Sequence, residues 1–264
     1  MRRLIVVALF SLAHATAALA QTAPATPATP PAAPPADAAP VDALKEPRDI
    51  VETGSNTKEN LKKAIGLYEA ALPAADAKAK CAGYADVGRA WLRLGDLETV
   101  SDAKIAAYSK GREAAQKGIA ADGKCAEAIY WDMANQAVIG RTRGVMNSLF
   151  MLGDLRKGLN QVLAIDPNHK RAKHTLAKID HAVPGLAGGS DERAEKSFKE
   201  LLARDPHWTP AMVSYAEFLR DNGKKDDARA IASKCVAESA STAPNDFRKF
   251  DKRDCEAVLK ELGE

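Results

Sequence analysis

Near the C-terminal end of the chain, one helix signature occurs twice at a fixed interval. Ala194, Phe198 and Leu201 return in the same order as Ala228, Ala232 and Cys235. Each is shifted by about 34 residues, a spacing typical of helical-repeat arrays. Small and apolar residues three or four apart share one helix face. Asp205-Pro206 closes the first copy, because proline cannot continue a helix. A unit of this length is one pair of helices, which buries its apolar face only by stacking on neighbours. The chain is therefore expected to be all-α, and arrays of this kind bind partners rather than catalyse.

The same phase extends upstream. Leu155, Leu159 and Val162 precede Asp166-Pro167 with bulkier residues at equivalent positions, and Ala64, Tyr68 and Ala71 repeat the spacing near the start. Helical periodicity predicts a first helix along Leu61 to Leu72 and a second from about Asp76, stopped at Gly95-Asp96. Further helices are expected from about Glu98 to Ala121, Ala126 to Ile139, Val145 to Ile165, Lys170 to Ala182 and Asp191 to Arg204. Three more are expected at Pro210 to Asn222, Asp226 to Glu238 and Asp246 to Leu262. Thr209-Pro210 reads as an N-cap followed by proline at the first helical position. The stretch from Val183 to Ser190 stands where a tight turn would be expected. The count is about four hairpins plus terminal helices, in one domain over residues 46–264. An irregular helical bundle is the other arrangement such helices allow.

The N-terminus points to export. Arg2 and Arg3 precede the apolar run Leu4 to Leu12, and Ala18-Leu19-Ala20 offers small residues where a signal peptidase cuts. Residues 1–20 are expected to be a cleaved signal peptide, the apolar run being short for a permanent bilayer anchor. Residues 21–45, rich in Ala, Pro and Thr, are expected to be a disordered linker, since they carry too little apolar surface for a core. The mature protein is expected in the periplasm. Losing Arg2 and Arg3 lowers the formal net charge of +3 by two, which argues against general nucleic-acid binding.

The 34-residue period resembles that of tetratricopeptide (TPR) proteins. Tyr130-Trp131, the long helix closing at Asp166-Pro167, and the loop Pro184 to Ser190 with Gly188-Gly189 further resemble the TatT family. That family is the TPR-built T component associated with tripartite ATP-independent periplasmic (TRAP) transporters. The resemblance covers roughly Ala126 to Glu238. It implies a TPR-like helical hairpin solenoid, a tendency to form homo-oligomers, and a partner that is a periplasmic solute-binding protein or its solute. It brings no catalytic motif. Family members are often lipoproteins, whereas no cysteine follows Ala20 here. A generic TPR scaffold for other envelope proteins is the alternative.

In proteins that resemble TPR solenoids, the first helix of each hairpin lines the concave face. Phasing from Asp166-Pro167 puts Arg171, His174, Lys178 and His181 on that face, and phasing from Gly95-Asp96 adds Arg89 and Arg93. Basic side chains gathered there would attract an anionic ligand, a carboxylate or an acidic peptide; a solvated basic helix face is the plainer account. The last hairpin departs from the trend with Glu217, Arg220 and Asp221. Trp91, Tyr130 and Trp131 are aromatics that either stack on a ligand or pack.

His174 and His181 stand seven residues apart, roughly 10 Å along a helix, too far to chelate one ion, and no metal is expected. Four cysteines in an exported chain suggest two disulfides with three pairings open. Stacking of successive first helices favours Cys81 with Cys125, and pinning of the final helix favours Cys235 with Cys255. Nucleophile-elbow, phosphate-loop and dinucleotide motifs are missing, so neither enzyme nor cofactor is expected.

Overall fold

The protein is described by a computed structural model, which covers residues 42–263. The expected signal peptide and most of the expected linker lie outside the described residues. Packing starts before the expected boundary: Leu44 is buried, and Asp42 Oδ1 accepts its N–H at 3.0 Å. A helix not foreseen in the sequence follows, α1 (Lys45–Glu52). Its Pro47 lies in the first turn, where a missing N–H costs nothing.

The described residues contain no strand, and eleven helices of eight residues or more. After α1 come α2 (Lys58–Ala71), α3 (Ala77–Asp96), α4 (Ser101–Ala121), α5 (Ala126–Arg143) and α6 (Val145–Ile165). Then follow α7 (Lys170–Ala182), α8 (Asp191–Arg204), α9 (Thr209–Asp221), α10 (Lys225–Val236) and α11 (Lys252–Glu261). Each helix packs on the next, as short connections require. Side-chain oxygens of Thr57, Asp76 and Ser190 cap α2, α3 and α8 by accepting the N–H three residues on.

The core is a string of local apolar clusters. Leu61, Tyr68 and Leu72 of the first helices pack on Val87 and Leu94. Tyr108, Ala115 and Ala128 fill the space between α3, α4 and α5, and Ile129, Leu159, Val162 and Ala172 that between α5, α6 and α7. Phe198 and Phe218 anchor the following cluster, and Met212, Cys235 and Val258 the last. The six residues of the two-fold signature are all buried. No described helix is long and apolar enough to cross a membrane.

Both favoured disulfides are present. Cys81–Cys125 ties α3 to the start of α5, with Cα atoms 5.7 Å apart, and Cys235–Cys255 ties α10 to α11 at 6.3 Å. Two such bonds fit an oxidising compartment and an exported chain.

α3 ends at Asp96, as expected, with Gly95 still helical; a Cβ there would enter the ring of Tyr108, whose hydroxyl donates to Asp96 at 3.0 Å. Three local expectations need correction. The helix expected to end at Ile139 runs on to Arg143, and Gly144 alone (φ 113°) joins α5 to α6, a conformation that suits glycine. Thr209 does not cap α9. Its hydroxyl is buried and donates to Asp251 Oδ2 at 2.6 Å, a charge-assisted bond, and Trp208 takes the cap position. The final helix is not continuous from Asp246: a π-helical turn, Phe247–Asp251, precedes α11.

That C-terminal segment returns to the beginning of the described chain. Asn245 Nδ2 donates to the carbonyls of Val51 (3.2 Å) and Glu52 (3.0 Å), and Arg248 donates to the carbonyl of Thr53. Asp246 forms an ion pair with Arg93 of α3.

Candidate anion-binding site

Four helices deliver side chains to one small cavity, α1 contributing Arg48 and Glu52. α3 brings Asp86 and Arg89, α5 brings Glu127 and Trp131, and the first turn of α7 brings Arg171, around a volume of about 180 Å³. Residues 86 and 89, like 127 and 131, are one turn apart and therefore share a face.

Trp131 is the apolar wall, with the Arg89 guanidinium carbon 5.8 Å and that of Arg171 5.6 Å from its ring centroid. Glu127 collects the donors. Trp131 Nε1–H donates to it at 3.2 Å, Arg171 Nη1 lies 3.7 Å away, and His169 Nε2 lies 3.4 Å away without hydrogen-bond alignment. The His169 tautomer follows from its other nitrogen. Nδ1 accepts the N–H of Ala172 at 3.1 Å as the cap of α7, which leaves the ring proton on Nε2, facing Glu127. Burial works to raise the Glu127 carboxyl; contact with His169 and the charges of Arg171 and Arg89 overcome it and hold the group below its usual range.

Arg89 differs from every other cation predicted for this face. It is 8 % exposed, yet its guanidinium makes no hydrogen bond or ion pair with a described residue. Burial, then the like charges of Arg171 and Arg93, press its pKa downward. Across the cavity, Asp86 accepts the Tyr68 hydroxyl at Oδ2 (2.6 Å), while Oδ1 receives no hydrogen bond from a described residue. Burial pushes the Asp86 carboxyl up to about 6, against the pull of Tyr68 and Arg89.

The other predicted site residues go elsewhere. Arg93 is bound to Asp246, with Asp96 at 3.7 Å and Phe250 under its guanidinium. His174 is largely enclosed, 5.2 Å from the Trp208 ring and 6.1 Å from that of Phe198, with Nε2 2.9 Å from the Ser214 hydroxyl. Burial, helped by the charge of Lys178, drives its pKa down to about 3, so it packs as a neutral ring. His181 lies between Asp191 (2.8 Å) and Asp221 (3.3 Å). It borders, with the exposed Lys178, a separate cavity of about 310 Å³ that Glu217 and Arg220 also line. Of the six cations, only Arg89 and Arg171 meet at the cavity beside Trp131.

Glu127, Asp86 and His169 were not singled out from the sequence, and Trp131 only as an aromatic that either stacks or packs. Phasing α5 as α3 and α7 were phased would have found Glu127 and Trp131. Neither a protein-family model nor a curated protein matches this chain.

Proposed function

We propose that the protein is a periplasmic binding protein built as a TPR-like solenoid of helical hairpins, serving as the T component of a TRAP-type solute uptake system. In that role it meets the solute receptor or the solute. Stacked hairpins are supported by the Cys81–Cys125 bond between α3 and α5, two successive first helices of their pairs. The single observation that carries a binding role is the convergence of Arg89, Trp131 and Arg171 from three such helices on one cavity. Export is supported by the two disulfides together with the signal-like residues 1–20.

The test is affinity capture of the tagged chain from periplasm, with co-purifying proteins identified by mass spectrometry. A TRAP solute receptor should be retained by the native chain and lost when Arg89 and Arg171 are changed to Glu. Retention of that receptor by neither form would count against the T-component role. One observation favours a second reading, a scaffold that holds acidic segments of other envelope proteins. The chain's own Asp246, on a segment far along the sequence, is seated on Arg93.

A further inference from the structure

The cavity between α3, α5 and α7 carries more chemical information than the presence of two arginines. Three guanidinium groups, Arg48, Arg89 and Arg171, and three carboxyl groups, Glu52, Asp86 and Glu127, border it. Arg171 is answered by Glu127, and Arg48 lies 3.4 Å from Asp42. Arg89 has no hydrogen-bonded or ion-paired counterpart, although a buried guanidinium left without one costs a fold several kcal/mol. Cations and carboxyls on the rim are equal in number, so the cavity suits a ligand that brings a single carboxylate; a doubly charged sulfate would face Glu52, Asp86 and Glu127 uncompensated. The space is small. At about 180 Å³ the cavity falls below the usual range of sites for drug-sized ligands and suits a small molecule. Planar guanidinium groups match a carboxylate by paired hydrogen bonds. The Trp131 face offers an apolar surface for a short carbon skeleton, and Asp86 Oδ1 offers an acceptor.

We infer that this cavity binds a small monocarboxylate bearing a hydrogen-bond donor, hydroxyl or ammonium, next to its carboxyl group. Arg89 and Arg171 hold the carboxylate, Trp131 covers the carbon skeleton, and Asp86 accepts from the donor. The inference rests on the ligand-binding role proposed above and names the ligand class for that site. Arg89 is thereby kept as a charge the fold does not use, completed only when the ligand arrives.

The experiment is isothermal titration calorimetry of the disulfide-bonded mature chain with L-lactate, L-alanine, propionate and sulfate, paired with thermal melting. Lactate or alanine should bind. Propionate, which lacks the donor, should bind about tenfold more weakly, the worth of one charge-assisted hydrogen bond, and sulfate should not bind. Arg89→Met should lose about a hundredfold in affinity, while its ligand-free Tm rises because an unpaired buried charge is gone. Asp86→Asn should retain propionate binding and lose the preference for lactate and alanine. Arg220→Gln, at the separate cavity, should bind like the native chain. Failure of both lactate and alanine to bind, unchanged binding in Arg89→Met, or a fall in the Tm of Arg89→Met would overturn the inference. Capture of the solute receptor on the same samples separates the two claims. A chain that captures the receptor but binds no carboxylate refutes only the ligand class. A chain that binds lactate or alanine but captures no receptor refutes only the T-component role.

Discussion

Arg89 and Gly95 are neighbours on α3 with opposite demands. Arg89 is a buried group that packing alone does not justify, and violations of this kind collect at functional sites. Gly95 is dictated by packing, since the Tyr108 ring occupies the place of a Cβ. Gly95→Ala should displace that ring, break its bond to Asp96 and cost about 1–3 kcal/mol, the usual penalty for overfilling a core. The shift in urea midpoint at constant m-value measures it, and a change of a few tenths of a kcal/mol would contradict the packing assigned here. Asn245 gives a second check. Asn245→Leu leaves the carbonyls of Val51 and Glu52 without their donor and should cost about 1–3 kcal/mol.

Helices and their staples respond to redox conditions. In the chain-entropy model, the Cys81–Cys125 bond, spanning 44 residues, contributes about 4 kcal/mol, and Cys235–Cys255, spanning 20, about 3 kcal/mol. Replacing Cys81 and Cys125 by Ala should therefore lower stability more than replacing Cys235 and Cys255, as denaturant titration would read; the reverse order would refute loop closure as the cause. These bonds were legible in the sequence because paired cysteines and helix phase are local signals. Helix spans from Val145 to Arg204 were legible for the same reason: Pro167 and Ser190 mark their ends plainly. The candidate site was legible only in part. Helix phase places Arg89 and Arg171 on one side, but whether a cation meets a carboxylate depends on residues far away in sequence. Asp246, 153 residues beyond Arg93, takes that arginine out of the site. His174 fails for a related reason, being on the right face but roofed by Phe198 and Trp208 of later helices. The helix Lys45–Glu52 was missed because it spans only eight residues, with Pro47 in its first turn and too few apolar residues to show a period.

Protonation pulls on stability in two directions. Burial raises the Asp86 and Asp251 carboxyls to about 6, from an ordinary value of 3.8. His181 is raised above its model-compound value of 6.5: burial opposes this, but Asp191 and Asp221 prevail. In each case the folded chain takes up its proton at higher pH than the unfolded chain, so the contribution of these three groups rises as pH falls from 7 toward 5. Carboxyls held low by ion pairs, Asp180 by Arg193 and Arg156 and Asp205 by Lys170, work against burial and lose their contribution once pH drops through their folded values. His174, held at about 3 by burial, opposes the rise: the unfolded chain takes up that proton first as pH falls below 6.5, so Tm is expected to change little between pH 7 and 5 and to fall at lower pH. His181→Gln should make Tm fall further between pH 7 and 6 than it does in the native chain. A Tm that climbs steadily from pH 5 to 8 would contradict this account.

Repeat arrays ordinarily lengthen or shorten over evolution by gaining or losing a unit, because each unit touches only the next. Here the segment after α10 clasps the end of α1 through Asn245 and Arg248. An inserted or deleted helix pair would pull that clasp apart. Change of length is therefore costly for this chain, and new specificity is expected to come from substitution within a fixed set of helices.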